Sequence, residues 1–308
     1  MLNKIKELRA RTFLGLTICK EALQETNGNI DEAIVFLQNR DNPKDKRFGD
    51  LVLSLEGEVR AFCKDGFASI VEVNCEPDFN ARSDLFKNFV SKFVEHKYFP
   101  SIYLGECIDV ENETTNEMKQ EISNLSKQLG EKVIVRRKDY LENFSEDSNY
   151  KYICNCYNHP NGKIAVILET EVKISCITKE LIDFLDNICM HIAATNPKYI
   201  DVSDIPYNIL EDKKNEFNKD VSPKQEKMRD KIVAGKLEKW YSEVCLMKQL
   251  PVFIENNEFK RNIGDLLYGI NNKYKLPENV PVSLVHTIID NASIINNFIR
   301  YERGEELK

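Results

Sequence analysis

The tightest cysteine cluster in the sequence consists of Cys154 and Cys156, with His159 three residues further on. A structural zinc site takes four ligands, usually from two paired segments of the Cys-x-x-Cys kind. The chain has nine scattered cysteines, and none of them forms a Cys-x-x-Cys pair. We therefore interpret the cysteines as reduced, structural thiols rather than as a metal centre or a disulfide framework.

Motifs of covalent catalysis are also missing from the sequence. It contains no Gly-rich phosphate-binding loop, no Gly-x-Ser-x-Gly nucleophile elbow and no His-Glu-x-x-His zinc motif. Its four histidines do not fall into a recognisable Cys/His or Ser/His arrangement. These absences argue against an enzyme that works by covalent chemistry; that the chain needs no cofactor is implied only by the family resemblance described below.

The composition is typical of a globular protein, because 42% of the 308 residues are hydrophobic and 30% are charged. The formal net charge is -7, and no block of Lys and Arg stands out, so we predict no direct nucleic-acid binding. No run approaches the roughly 18 apolar residues of a membrane span. Residues 1–10 are charged and lack the apolar core of a secretory signal. We expect either a cytoplasmic protein without membrane association or a mature form whose targeting segment has been removed.

Three short helices are predicted within residues 1–40. Thr17 can cap the second helix, and Asn27-Gly28 ends it in the left-handed manner of many helix C-termini. Asn29 and Glu32 have the spacing of a capping box at the start of the third helix. The polar residues 41–50 then form a linker.

Residues 51–140 indicate a first α+β subdomain. Strands at 58–63 and 67–74 flank a hairpin turn at Lys64-Asp65-Gly66. The apolar spacing from Phe79 to Phe93 predicts a helix that packs on the sheet. A second helix at about 112–129 ends at Gly130, and a strand at 132–138 follows.

Residues 141–308 repeat this plan. Strands at 151–156 and 164–169 precede a long helix that Thr178 can cap and that stops before Pro197. The alternating residues 297–302 are expected to close the second sheet. The fold class is therefore α+β, with two related core subdomains that each combine an antiparallel sheet with packed helices.

Residues 206–241 form a highly charged insertion, with breaks at 221–223 and at Gly235. This pattern favours two antiparallel helices that are joined near Pro223 and project as a coiled-coil hairpin. An ordinary solvated helical insertion has the same pattern, so the sequence leaves both interpretations open.

Several segments, in this order, are similar to those of one protein family. Residues 8–12 with Lys20-Glu-Ala-Leu23 resemble the opening signature of elongation factor Ts, and residues 72–76 with Asp78-Phe79 resemble its second signature. Further collinear matches lie at 130–131, 136–137, 190–194, 197, 243–244, 251–253 and 298–300. The sequence departs from the family pattern at Phe13, Ile18, Pro77 and Asn80.

The resemblance implies both a fold and a function. Bacterial-type members combine a three-helix module resembling ubiquitin-associated domains, two related α+β halves and a protruding helical coiled-coil hairpin. They are guanine-nucleotide exchange factors that bind elongation factor Tu with GDP, dislocate Mg²⁺ and promote GDP release so that GTP can bind. GDP, GTP and Mg²⁺ would be held by that partner and not by this chain.

The resemblance also implies that Pro77, Asp78, Phe79 and Asn80 form the segment that dislocates Mg²⁺ from the partner. Phe79 would act as an apolar wedge between partner helices, and Asp78 would make the polar contacts that fix the wedge. Without the resemblance, Phe79 would be a core residue of its own helix and Asp78 a helix cap.

Partner contacts are implied for Lys20 in the N-terminal module, for Leu129 and Gly130 at the end of the second core helix, and for His159 in the second half. Taken alone, Lys20 is a solvated charge, Leu129-Gly130 a helix stop and His159 a turn residue. The alternative function is a protein-binding module that acts through the N-terminal helices without exchanging nucleotide.

Overall fold

The computed structural model describes residues 4–8, 16–39, 56–76, 78–95, 102–103, 113–143, 145–221, 228–253, 262–272 and 293–305. Pro77, Phe13, the linker at 41–50 and Pro223 lie outside the described residues, so the sequence-based expectations about them stay predictions.

Helices and strands occur in short runs along the described chain. The helices are α1 (4–8), α2 (Leu16–Glu25), α3 (Ile30–Asn39), α4 (Asp78–Ala81), α5 (Asp84–Glu95), α6 (Glu113–Leu129), α7 (Lys179–Thr195), α8 (Tyr207–Lys219), α9 (Arg229–Val244) and α10 (Ile263–Asn272). The strands are β1 (Gly57–Lys64), β2 (Phe67–Cys75), β3 (Ile102–Tyr103), β4 (Val133–Glu142), β5 (Tyr150–Asn158), β6 (Ile164–Lys173) and β7 (Ser293–Glu302).

The first sheet is antiparallel and has the strand order β1-β2-β4-β3. Its β1–β2 hairpin turns at Asp65 and Gly66, which both have positive φ, as a two-residue type I′ turn requires. Helices α5 and α6 cover one face of this sheet through a cluster that includes Val71, Val73, Phe86, Val90, Met118 and Leu125. The predicted hairpin is confirmed.

The second sheet is antiparallel, has the order β5-β6-β7 and is closed by β7 as predicted. Helix α7 covers it, with Leu181, Leu185 and Ile188 packed on Val166 and Leu168. Thr178 caps α7 by accepting a hydrogen bond from the Leu181 amide, and Asn196 ends it in a left-handed conformation. The predicted bounds of this helix are therefore confirmed. Because local capping chemistry sets them, they could be predicted from the sequence.

The two sheets face each other across a shared core. This cluster includes Val59, Ala61, Ala68, Ile70 and Leu141 from the first sheet, and Ala165, Ile167 and Tyr301 from the second. The alanines allow the sheets to approach closely. The core is therefore layered as helices, sheet, sheet and helix, and the central strands β2 and β6 are the most deeply buried.

The free edge of β1 is covered by residues of the second half. The Val59 amide donates to the Gly162 carbonyl over 2.8 Å. The Asn158 side chain bonds both the amide and the carbonyl of Ala61, at 2.7 and 2.9 Å. Edge strands need such protection from further pairing, and here the protection joins the two halves.

The prediction of a single helix between Phe79 and Phe93, which rested on the apolar spacing, is wrong in one respect. The structure has two helices, α4 and α5, with a break at Arg82-Ser83. The Ser83 hydroxyl donates to the Asn80 carbonyl over 2.7 Å, and it accepts from the Phe86 amide over 3.2 Å. Ser83 therefore ends one helix and caps the next.

A buried carboxylate joins β2, β4 and the end of β7. Glu72 is fully buried and accepts hydrogen bonds from Arg136 Nη1 at 3.0 Å, Arg137 Nε at 2.8 Å and the Gly304 amide at 2.8 Å. Arg137 Nη2 also donates to the Glu302 carbonyl over 3.0 Å. These contacts satisfy a buried charge with charged and neutral donors from both halves.

A second buried cluster joins α7 to the segment after α9. The His191 Nδ1 accepts from the Val252 amide over 3.3 Å, so its Nε2 donates to Gln249 Oε1, 2.8 Å away. The ring also packs edge-on against Phe253. Burial lowers the pKa of His191 below its ordinary value, and the Gln249 contact opposes this effect only in part.

Helices α8 and α9, in the predicted hairpin, contact each other. The Arg229 guanidinium donates to the side chain and the carbonyl of Asn218, and Lys236 pairs with Asp220 at 3.0 Å. Val233 and Leu237 are the buried residues of α9. The charged face is thus solvated, as the sequence indicates. Among the described residues, no helix has both the length and the apolar character that crossing a membrane requires.

We predict that Glu72→Ala lowers the free energy of unfolding by about 3–5 kcal/mol, because it leaves buried guanidinium groups without their counter-charge. The measurement is urea unfolding followed by circular dichroism. Glu76→Ala is the matched control, since Glu76 lies four residues further on and is exposed; it should change stability by less than about 0.5 kcal/mol. Equal effects of the two substitutions would contradict the role of the cluster.

We also predict an acid-dependent loss of stability that depends on His191. The pKa of His191 is lower in the folded state, so below about pH 6.5 the unfolded chain binds a proton that the folded chain does not. Stability should therefore fall as the pH drops from about 6.5 to the lowered folded-state pKa. In urea titrations at several pH values, His191→Gln should remove this part of the slope, whatever its effect at pH 7.

Candidate functional site

The segment that follows β2 carries the predicted site. β2 ends at Cys75, Glu76 is exposed, and α4 begins at Asp78. The side chain of Phe79 is 71% exposed, whereas the next two residues, Asn80 and Ala81, are buried. The interpretation of Phe79 as a core residue of its own helix is therefore wrong.

Hydrogen bonds explain why a polar residue is buried here while an aromatic residue is exposed. Asn80 Nδ2 donates to the Glu76 carbonyl over 3.1 Å, and the Asn80 carbonyl accepts from Ser83. Asn80 thus turns its side chain inward to close the bend between β2 and α4. Its neighbour Phe79 must then point away from the core. This departure from the family pattern has a structural purpose in the bend.

Asp78 is held by an ion pair within the same segment. Arg82 contacts both carboxylate oxygens, with Nη2 2.7 Å from Oδ2 and Nε 3.1 Å from Oδ1. Both side chains are largely open to water, with 76% of Arg82 and 49% of Asp78 exposed. Such a pair is weak, at most about 1 kcal/mol, so the Asp78 carboxylate can exchange Arg82 for another partner.

A groove of about 620 Å³ lies beside α4 and combines residues from both halves of the core. Its lining includes Gly57, Glu58, Val59, Arg60, Asp78, Arg82, Lys87, His159, Pro160, Asn161, Gly162, Lys163 and Arg303. The structure thus brings Asp78 and His159 to one concave surface, although they are far apart in the sequence. Phe79 stands next to this groove without lining it.

Gly57 is required where β1 enters this groove. Its φ is +147°, and a Cβ atom there would lie 2.1 Å from the Val73 carbonyl oxygen. Only glycine fits such an approach of two backbones. The Arg303 guanidinium closes the same corner by donating to the Gly57 carbonyl over 2.9 Å and pairing with Glu56 at 3.0 Å.

His159 lies in the turn between β5 and β6. Its amide donates to the Ile164 carbonyl over 2.9 Å, and its ring packs edge-on against Tyr157. Its Nδ1 accepts a long hydrogen bond of 3.4 Å from the Asn161 amide. The turn holds the backbone of His159 firmly and leaves the imidazole half-exposed at the groove.

Leu129 and Gly130 lie at the same end of the first sheet as Asp78. Gly130 has a φ of +71° and ends α6. The chain then enters β4 at Val133, which pairs with Cys75, the last residue of β2. Leu129 packs on the core, while Gly130 is exposed. Sheet pairing therefore places this helix end near the Asp78 segment.

Lys20 is exposed on α2 and does not line the groove. The N-terminal helices contact the core where Lys127 Nζ, on α6, donates to the Leu37 carbonyl over 2.8 Å. Lys127 lies on α6 two residues before Leu129. The predicted site residues therefore divide into a core set around the end of the first sheet and Lys20 on helix α2.

Sequence reasoning missed the charged residues that shape the groove. Glu58 is buried, pairs with Arg60 at 2.7 Å and has no hydrogen-bond partner at Oε2 among the described residues. Arg303 follows β7 in the sequence, and it lies at the groove because the fold brings the end of β7 next to Gly57. A carboxylate within an otherwise buried strand was the available signal for Glu58, whereas no local signal marks Arg303.

No group of three or more His, Cys, Asp and Glu side chains in the described parts of the chain has the geometry to hold a metal ion. The groove instead mixes acidic and basic side chains from several elements. Its open, charged surface, with an exposed aromatic residue at its rim, is suited to contacts with another protein.

Comparison with known proteins gives one consistent result. The family model described as Elongation factor TS matches residues 76–305. A protein named Elongation factor Ts from Halothermothrix orenii is 31% identical, over 100% of this chain and 93% of its own length. The protein of the same name from Nitratiruptor sp. is 32% identical, over 99% of this chain and 93% of its own length. The one from Mycoplasma mobile is 32% identical, over 80% of this chain and 81% of its own length.

We predict that Phe79→Ala leaves the free energy of unfolding within about 0.5 kcal/mol of the natural value, because an exposed side chain gives up little packing. Phe86→Ala, seven residues further on and fully buried, is the matched control and should cost about 3–5 kcal/mol. Urea unfolding of both variants measures the difference. A large loss in Phe79→Ala would mean that Phe79 supports the fold.

Proposed function

The chain belongs to the elongation factor Ts family, and we propose that it acts in translation as a guanine-nucleotide exchange factor for elongation factor Tu. In this proposal it binds elongation factor Tu with GDP, dislocates the Mg²⁺ ion and promotes release of GDP. The observation that carries the proposal is the exposure of Phe79, at 71%, on a helix whose next two side chains, Asn80 and Ala81, are buried.

Phe79 would be the apolar anchor of the interface. A large aromatic side chain held in water is unfavourable unless a partner buries it. Buried aromatic anchors dominate the binding energy of many interfaces. The bend closed by Asn80 and Ser83 holds Phe79 outward before any partner arrives, which lowers the entropy cost of docking. Phe79 would therefore enter the partner as a preformed wedge.

Asp78 would act on the metal site of the partner. Mg²⁺ requires a near-octahedral set of oxygen ligands and tolerates little displacement of them. Asp78 is only weakly held by Arg82, so its carboxylate can move to a donor group on the partner beside that ion. The wedge and the carboxylate together would disturb the ligand shell, while the ion and the nucleotide stay on the partner.

His159, Leu129 and Gly130 would extend the contact on the core. His159 and Asp78 both line the groove. The pairing of β2 with β4 brings Gly130 to the end of the first sheet at which Asp78 lies. Pro77 would complete the segment that dislocates Mg²⁺. Several separated contacts favour one docking orientation and so fix the direction in which Phe79 enters the partner.

Two further parts of the chain would add contacts away from the wedge. Lys20 on the N-terminal helices would dock on the nucleotide-binding domain of the partner. The helices α8 and α9, which contact each other through Lys236 and Asp220, would form the projecting coiled-coil hairpin of bacterial-type members. We propose the division into residues 1–40, a linker at 41–50 and core subdomains at 51–140 and 141–308 on the same basis.

The exchange proposed here needs no covalent chemistry. If binding of this chain weakens GDP binding to the partner by some factor, GDP weakens the protein pair by the same factor. GTP then displaces the chain by the same linkage. The chain would therefore catalyse exchange through differential binding alone, and it would require no cofactor of its own.

We predict that Phe79→Ala slows stimulated release of GDP by roughly 30-fold, because loss of an anchor costs about 2 kcal/mol. Release of a fluorescent GDP analogue from purified elongation factor Tu measures the rate. The matched control is Ile174→Ala, which removes a 50% exposed apolar side chain just after β6, at the end of the second sheet that lies away from the groove.

Unchanged release in Phe79→Ala would show that the wedge assignment is wrong. Equal slowing in the Ile174→Ala control would point to a general surface effect instead. A chain that captures elongation factor Tu but leaves release at its spontaneous rate would be the non-exchanging binding module.

A further inference from the structure

Two thiols from different halves of the core are in contact. Cys63 Sγ on β1 lies 3.0 Å from Cys156 Sγ on β5, although the residues are 93 positions apart in the sequence. β1 and β5 are edge strands of the two facing sheets. Both cysteines pack at the margin of the core that the sheets share, and both are half-buried.

We propose that Cys63 and Cys156 are a modification site at which a small peroxide forms a reversible disulfide between the two sheets. A disulfide bond is about 2.05 Å long, so the sulfur atoms need to approach by only about 1 Å. Contacts already made by neighbouring residues keep these strands together, since Ala61 on β1 is bonded to the Asn158 side chain on β5.

The environment of the pair favours one thiol as the nucleophile. The hydrogen bond with Cys156 lowers the pKa of Cys63 below its ordinary value, and the same contact raises the pKa of Cys156. The thiolate is the reactive form of cysteine. Cys63 is therefore expected to react first and Cys156 to resolve the product.

The chemistry is balanced with a peroxide as the oxidant. The Cys63 thiolate attacks one peroxide oxygen, an S–O bond forms, the O–O bond breaks, and the leaving hydroxide takes a proton to become water. Cys156 then attacks the sulfenic sulfur, the S–S bond forms, and the S–O bond breaks. The Cys156 proton leaves with the second water molecule. Two thiols lose two electrons, and the peroxide gains them.

Cys154 provides an internal control. It lies on the same face of β5, two residues before Cys156, and its thiol donates to the Gly66 carbonyl over 3.2 Å. Burial raises the pKa of Cys154 to about 12, so it stays protonated at neutral pH. Exposure to a peroxide should therefore consume Cys63 and Cys156 and spare Cys154.

The cross-link would lie away from the groove. β1 enters the groove at Gly57 and reaches Cys63 near its other end. A bond between Cys63 and Cys156 would fasten the two sheets without touching Asp78 or Phe79. It would also restrict the unfolded chain by closing a long loop. The inference is independent of the proposed function.

The full-length chain is treated with a few equivalents of hydrogen peroxide, blocked with N-ethylmaleimide and mapped by mass spectrometry without reduction. We expect a peptide that links Cys63 to Cys156, a loss of two of the nine thiols and a rise in Tm of roughly 5–10 °C. Dithiothreitol should reverse all three changes. Cys154→Ser should behave like the natural chain, whereas Cys63→Ser and Cys156→Ser should lose the linked peptide.

The proposal is overturned if the natural chain gives no linked peptide, if Cys63 passes to sulfinic acid without forming a link, or if the main products join two molecules. Loss of the link in the Cys154→Ser variant would also overturn it. Peptide mapping of the natural chain decides the matter even if a serine variant folds poorly.

Discussion

The buried Glu72 carboxylate is the interaction on which the geometry of the groove depends. It binds Arg136 and Arg137 from β4 and the Gly304 amide from the end of β7. The residue before Gly304, Arg303, is thereby set against the Gly57 carbonyl at the corner of the groove. A buried charge must be satisfied by hydrogen-bond donors in fixed positions. Because those donors come from both halves, the carboxylate also fixes how the halves meet.

The segment from Asp78 to Ala81 reverses the usual distribution of side chains. Asn80 is buried and Phe79 is exposed, although burial of the phenylalanine alone would be favourable by about 2–3 kcal/mol. The hydrogen bond from Asn80 to the Glu76 carbonyl offsets part of this cost by satisfying the bend. Local arrangements that oppose stability are expected at functional sites. The burial of Asn80 together with the exposure of Phe79 therefore supports an interface at this segment more strongly than the exposure of Phe79 alone would.

Features set by neighbouring residues could be predicted from the sequence, and features set by distant contacts could not. The turn at Gly66 and the cap at Thr178 follow from local backbone chemistry, and both are confirmed. The break at Ser83 was missed because the apolar spacing continues through it, and only the cap bonds reveal it. The family pattern singled out Glu72, but its role requires contacts more than sixty residues away. Arg303 had no signal at all, since its place in the groove depends on the closed second sheet.

The single strand β1 connects the separate features of the core. Gly57 at one end allows the close backbone approach that opens the groove, and Cys63 near the other end meets Cys156. Between them, Val59 and Ala61 direct their side chains into the shared core and bond the second half along the strand edge. β1 pairs with β2 along one side, but its outer edge is held only by turn and side-chain groups of the second half, which form fewer regular bonds than a strand would. A covalent bond between Cys63 and Cys156 would add restraint at the end of β1 that lies away from the groove.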